Sequence, residues 1–429
     1  MSDLINKNRG YAILILFISP LIGLIFALKN LNRKGKHLIL TLFGLLYGLT
    51  VSFKPGTDGA SHSQSLSYYY GLGFEDFLNQ LYLILIYNPN IELASDPYLH
   101  FLSAICGSIF QSPKLLFIIV GFVYGYVYGA ALLNVIKFTN KNKIGIISIF
   151  LIILFVIHRS YENMQTIRSW TGMWVLFNGV FGYHSTKQNK YILLIFLAPF
   201  IHFMYLLILI PAAITVFIKY IPKKLIIFIF VVSFFSNINS GVLIQNSTNE
   251  FSSQRVKAYT RSSEEDTTFD PVLDRLKTAN SSWYAKYGKT DSVYYGSLFF
   301  IIFLLIGGYY NSKTMTNVEY ATLSTGILMA SLANFGSFVY TFYSRTMANA
   351  AVYILAVMVL LALRGELKIK VNSHRFFLIV GIIVFVPKIV YFISTAFITT
   401  SLNIFLLPFV VLFDESINIS LRDIIDLFL

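Results

Sequence analysis

Charged and hydrogen-bonding side chains are scarce in this sequence, and those that interrupt its apolar runs fall into a pattern. Asp58 and His62, then Arg159, Glu162, Gln165 and Arg168, then His202, and finally Tyr340, Tyr343 and Arg345 all lie close to the ends of strongly apolar stretches. An ionised group in such a position is costly unless it pairs or faces a wet cavity, so these residues are functional candidates by default. Arg159, Arg168 and Arg345 suit an anionic ligand, because a guanidinium binds phosphate through two parallel hydrogen bonds and stays charged in a low-dielectric cleft.

Each candidate also has a plain structural role to weigh. Arg159 beside Tyr161 suits a membrane-boundary residue neutralised by Glu162 one turn away. Asp58, in the run Pro55-Gly56-Thr57-Asp58-Gly59, suits a turn, and His202 among Phe200, Ile201 and Phe203 suits a hydrogen-bonded core histidine. Arg168 fits such a role less well, since it opens an apolar helix, where a cation opposes the helix dipole. The phosphate-binding loop of ATPases, the dinucleotide fingerprint, the zinc-protease helix and the nucleophile elbow are all missing from the sequence. This argues against an ATP-driven pump or a metalloprotease. The single cysteine, Cys106, excludes an intramolecular disulfide framework and a cysteine-rich metal site. No metal or cofactor is expected.

The elements that must position these residues are membrane helices. Of 429 residues, 56% are hydrophobic and only 12% charged, against roughly 25% charged in soluble domains, and the mean hydropathy is +0.67. Apolar runs occupy residues 11–28, 38–51, 115–136, 144–157, 170–183, 191–217, 225–235, 298–308, 321–339, 348–363, 376–397 and 402–413. With one run long enough for two passes, the expectation is an all-α polytopic membrane protein of about 11–14 spans, residues 1–429 forming a single integral membrane domain.

The formal charge of +13 is spread over short loops rather than along one stripe, so nucleic acid is not an expected partner. Lys29, Arg33, Lys34 and Lys36, then Lys137, Lys141 and Lys143, then Lys187 and Lys190, then Lys219, Lys223 and Lys224, and Arg364, Lys368, Lys370 and Arg375 mark cytoplasmic loops. Residues 53–113, which carry Asp58, Glu75, Asp76, Glu92 and Asp96, then lie outside, with re-entrant or interfacial helices near 77–87 and 97–110. Residues 191–217 become a hairpin turning on the outer side near Pro199 and His202, the alternative being a single span that would invert every later loop. Residues 241–294 form a long outer loop, whose charges and Trp283, Tyr284 and Tyr287 suit sugar recognition and a solvated loop equally. Residues 414–429 make an amphipathic C-terminal tail.

Four pieces of this layout resemble one family, the EpsG-like branch of the Wzy-type polysaccharide polymerases (O-antigen or capsule). Gly56-Thr57-Asp58 is similar to the family's Gly-x-Asp segment, although Gly59 and Ala60 follow where the family has a tyrosine. Asp96-Pro97-Tyr98, with Leu99 and Leu102, resembles its acidic and aromatic opening of an apolar stretch. Gln165-Thr166-Ile167-Arg168 followed by Phe200-Ile201-His202 is the nearest match, and Tyr343-Ser344-Arg345 is the fourth piece. Arg168 and Gly179 also have the spacing of the Arg-x10-Gly pattern of O-antigen polymerases.

The resemblance implies a GT-C-like glycosyltransferase architecture in a bacterial plasma (inner) membrane. It implies a polymerase that joins undecaprenyl-diphosphate-linked oligosaccharide repeat units at the periplasmic or exterior face. Arg168 and Arg345, supported by Arg159, would hold the diphosphate, and His202 or Asp58 would be the base. Gln165, Glu162, Asp96 and Tyr343 would support the substrate. The lipid bilayer and a chain-length regulator protein would be partners. Three other readings share the membrane class: a lipid-linked oligosaccharide flippase, a glycan ligase and a membrane O-acyltransferase. No clear internal repeat points to the flippase, and the ligase differs from a polymerase only in its acceptor.

Overall fold

The computed structural model describes residues 2–53, 57–86, 96–137, 145–218, 221–235, 283–288, 290–311, 313–337, 339–367 and 372–428. Among these, regular structure is helical apart from one antiparallel bridge between Ser401 and Ser420. In chain order the helices are α1 (Ser2–Ile18), α2 (Pro20–Asn30), α3 (Arg33–Thr50), α4 (Asp58–Ser65), α5 (Phe74–Leu85), α6 (Pro97–Ser103) and α7 (Pro113–Ile136). Then come α8 (Ile146–Ile157), α9 (Ile167–Thr186), α10 (Lys190–Ile201), α11 (Tyr205–Phe217), α12 (Lys223–Ser233) and α13 (Trp283–Gly288). The last are α14 (Asp291–Ile306), α15 (Asn317–Phe335), α16 (Tyr340–Arg364), α17 (Asn372–Val384), α18 (Val386–Thr399) and α19 (Leu421–Phe428).

Four helical stretches among the described residues are long and apolar enough to cross a membrane: Pro113–Ile136, Ile146–Gln165, Thr341–Arg364 and His374–Thr399. The chain is thus all-α, with the makings of a multi-pass membrane protein. Its outward faces agree, since Leu193, Phe196, Leu206, Ile210 and Phe228 are exposed, as a lipid-facing surface requires. Six more apolar helices have 10–17 residues, about 15–26 Å at 1.5 Å per residue, short of a core of about 30 Å.

Three apolar runs depart from a simple reading. Residues 11–28 are not one helix: Ser19 takes φ −140°, Pro20 starts a new helix without an N–H to give, and α2 folds back on α1. The Ser19 hydroxyl donates instead to the Phe405 carbonyl at 2.5 Å. Residues 402–413, expected as a span, form short 3-10 turns, with Leu407 left-handed at φ 53° ahead of Pro408. Residues 191–217 divide at His202 into α10 and α11, which pack against each other. Residues 53–113 contain only short helices where described. Most of the 241–294 loop lies outside the described residues, as do Lys141, Lys143, Lys219, Lys368 and Lys370.

The packing explains the glycine usage. Gly44 and Gly48 of α3 face Gly121 and Gly125 of α7, so close that a Cβ on Gly44 would sit 2.4 Å from the Gly121 carbonyl oxygen. Small residues four apart let membrane helices approach at their backbones. At the centre runs α16, buried at every residue from Thr346 to Leu363, rich in alanine and packed on α15, α14, α7, α8 and α9.

Candidate active site

Helix α9 carries Arg168 in its first turn, and the chain returns as α10 to reach His202 at its end. The return path lies close because α9 offers glycines to it. A Cβ on Gly179 would sit 2.6 Å from Ile195 Cγ1, and one on Gly182 would sit 2.2 Å from Tyr191 Cδ1. The glycine of the Arg-x10-Gly pattern is therefore a packing residue that brings His202 level with Arg168. Gly172 leaves room for the Tyr205 ring, whose hydroxyl donates to the Ser169 carbonyl at 2.5 Å and lies 3.4 Å from Asn349 Oδ1. Asn349 in turn donates to the Arg345 carbonyl at 2.9 Å, tying α11 and α9 to the start of α16.

At that junction stands Asp96, at the N-terminus of α6. Its side chain makes no capping bond to its own helix, where Pro97 removes a donor. The carboxylate turns inward, 1% exposed, and binds Arg168 Nη1 through Oδ2. Oδ1 accepts the Phe203 N–H at 2.9 Å and lies 3.4 Å from His202 Nδ1. On the other edge of that ring, Arg345 Nη1 lies 3.1 Å from His202 Nε2. A guanidinium can only donate, so Nε2 must be the bare nitrogen and Nδ1 carries the proton that faces Asp96.

Four side chains from four separate segments thus form a continuous chain, Arg168, Asp96, His202 and Arg345. Burial alone would push the Asp96 carboxyl up, but His202, Arg168 and the Phe203 amide together hold it well below the usual carboxylate range. His202 is held below its ordinary value by burial, with Asp96 pulling the other way and Arg168 and Arg345 adding to the lowering. The stable pair at neutral pH is an ionised carboxylate beside a neutral imidazole. A base of this kind is oriented by its acid partner and takes a proton at the far nitrogen.

Asp58 and His62 flank the cluster from α4. Thr166 Oγ1 donates to Asp58 Oδ2 at 2.9 Å, two residues before Arg168. His62 is pushed down to about 4, first by burial and then by the Arg168 charge, against the pull of Asp58.

The other candidates are not drawn into this chain. Arg159 is buried, stacks 3.8 Å over the Trp170 ring and donates to Asn163 Oδ1 at 3.2 Å. Glu162 accepts from Ser160 Oγ and Asn163 Nδ2, and the one-turn Arg159–Glu162 ion pair does not form. Glu162 instead borders an apolar cavity of about 200 Å³ lined by Phe43, Tyr47, Tyr161 and Phe392. Gln165 is partly buried, its Oε1 unsatisfied among the described residues. Tyr343 packs its ring 5.7 Å from that of Tyr294. Of the residues that hold the cluster together, Tyr205 and Asn349 carry no sequence signal, being an apolar-run tyrosine and a mid-helix asparagine.

Among the described residues, no three His, Cys, Asp or Glu side chains gather as a metal site. Compared with known proteins, the chain matches no family model, no curated protein and no solved structure. What the fold and the site define is a class: an all-α, candidate multi-pass membrane protein with a buried acid–histidine pair held between two arginines.

Proposed function

We propose that the protein is a polysaccharide polymerase that joins undecaprenyl-diphosphate-linked repeat units at the outer face of a bacterial plasma membrane. The observation that carries this reading is the continuous contact Arg168–Asp96–His202–Arg345. Its members come from three of the four segments on which the polymerase resemblance rests, and Asp58 of the fourth reaches the same place through Thr166.

The chemistry asked of the protein is modest, because a diphosphate already leaves well. The acceptor hydroxyl gives its proton to His202 Nε2 as its oxygen attacks the donor's anomeric carbon. The bond from that carbon to the phosphate oxygen breaks, and the electron pair leaves with the lipid diphosphate, whose charge Arg168 and Arg345 neutralise. Asp96 holds the imidazole and stabilises the imidazolium that forms. Direct displacement without a covalent sugar intermediate inverts the anomeric centre.

Sidedness follows from charge. Helices α9 and α16 carry Arg168 and Arg345 near their N-terminal ends and finish near Lys187 and Arg364, and α3 starts at Arg33, Lys34 and Lys36. Arg33 meets Asn134 near the end of α7, so the basic loops share one end of the bundle, away from the site. Positive loops face the cytoplasm, which turns the site outward.

The test is to incubate the purified protein with undecaprenyl-diphosphate-linked repeat units, without ATP or nucleotide sugar, and resolve chain length on a gel. A ladder is expected, and it should shrink sharply in Arg168→Lys and Arg345→Lys, which keep charge but lose the planar fork. Transport of the lipid across liposomes with no ladder would replace the polymerase with a flippase.

A further inference from the structure

We propose that Arg345 caps the lone pair of His202 Nε2, and that a diphosphate, on binding, draws Arg345 away and so uncovers the base only when its substrate is bound. This rests on the polymerase reading for the identity of the anion, and on geometry alone for the cap.

Three observations carry it. The Arg345 guanidinium ends 3.1 Å from Nε2, the one ring nitrogen that could take a proton, while Nδ1 faces Asp96. Among the described residues Arg345 has no carboxylate partner, whereas Arg168 is bound to Asp96. A guanidinium held by a neutral imidazole has far more to gain from a doubly charged phosphate oxygen cluster than from the ring it leaves. Arg345 also stands within the first two turns of α16, on a part-exposed side chain, just before the helix becomes wholly buried, so its backbone is fixed while its tip can swing.

The charged and titratable groups facing the ring are Asp96 at the start of α6, Arg168 on α9, Tyr205 on α11, at 6.4 Å between ring centroids, and Arg345 on α16. Asp58 and His62 on α4 stand beyond them, Asp58 held by Thr166 and His62 within reach of the Arg168 charge. Only Arg345 reaches Nε2 among the described residues. The consequence is economy of side reactions: with Nε2 occupied, the site cannot activate water against a lipid-linked sugar that is bound by its glycan alone.

The experiment uses the full-length protein in detergent, with ¹⁵N-labelled histidine and the His202 resonances assigned by their loss in His202→Asn. At a pH where the ring is neutral, the Nε2 resonance of the empty wild type should sit at the position of a hydrogen-bonded bare nitrogen. In Arg345→Met it should move to the position of an unbonded one. Methylenediphosphonate, followed by its own ³¹P signal, should move the wild-type resonance the same way and leave that of Arg345→Met in place. An unchanged Nε2 resonance in Arg345→Met overturns the cap. Diphosphonate that binds without moving Nε2 in the wild type overturns the coupling and leaves the polymerase reading standing. Failure to bind diphosphonate at all overturns the coupling together with the diphosphate assignment. If Arg345→Met does not fold, the wild type carries the test: an Nε2 resonance already at the position of an unbonded nitrogen before diphosphonate is added overturns the cap, and one unmoved by bound diphosphonate overturns the coupling.

Discussion

Replacing Asp96 with asparagine keeps the shape of the side chain and removes its charge, so it isolates what the carboxylate does. The amide oxygen still accepts the Phe203 N–H, but Arg168 loses its ionic partner. In the flipped amide the nitrogen instead takes the place of Oδ1, gives up the Phe203 N–H and donates to His202 Nδ1, which forces the proton onto Nε2, the nitrogen that must stay bare. Holding the base in the wrong tautomer costs about 10⁴-fold in turnover in the acid–histidine pair of serine proteases. Breaking a buried ion pair costs about 3–5 kcal/mol. Here the Arg168 side chain is 25% exposed and can recover some hydration, which brings the expected loss of stability to about 1–3 kcal/mol.

The pH dependence follows from the same group. The folded carboxyl binds its proton less readily than the unfolded one, so its contribution is complete above about pH 4 and is lost as acid protonates it in the folded state. His202 acts in the same direction: an unfolded imidazole takes a proton from about pH 6.5 downward, while the buried one resists. The wild type should therefore lose stability on acidification below about pH 6.5, and Asp96→Asn should lose less of it below pH 4. Thermal unfolding across pH, with the chain-length ladder run in parallel, measures both. An Asp96→Asn variant that builds the ladder within tenfold of the wild-type rate, at equal expression, would refute the role given to the carboxylate.

Gly44→Ala should push α3 off α7, since its Cβ would meet a backbone oxygen at 2.4 Å and not a yielding side chain. The expected cost is about 1–3 kcal/mol, read as a lower melting temperature, and an unchanged melt would mean that the helices can part without loss. Orientation can be read with cysteines, because the native Cys106 is buried. An impermeant maleimide should label Ser61→Cys in intact cells and Lys187→Cys only after permeabilisation, both positions being exposed. The reverse pattern would invert the topology.

The membrane class was legible because composition and run length are enough for it. The division of residues 191–217 at His202 was legible from run length and from the lysines at both ends. The break at Ser19 and the 3-10 turns of residues 402–413 were not, because hydropathy averages over a window while Pro20 and Pro408 act at one peptide bond. Arg168, His202, Arg345 and Asp58 were legible as polar residues at apolar helix ends. Their meeting point was not: Asp96 was read as supporting the substrate, yet it is the link between Arg168 and His202, 72 and 106 positions further along the chain. The α9–α10 glycines, the Tyr205 hydroxyl and the Phe203 amide help to make that contact, and no periodicity reports it. Arg159 and Glu162 share the signature of the site residues and sit apart because Trp170 and Asn163 give them local partners.

Helix α16 is enclosed from Thr346 to Leu363 and yet is made late, after α7, α8 and α9, which pack around it. Until the ribosome has delivered it, those earlier helices have no centre to close on, and Asp96 and His202 lack the arginine that completes their surroundings. Biogenesis and competence are thereby joined: a nascent chain that stalls before Tyr340 holds an acid–histidine pair in the membrane without the guanidinium that covers the base.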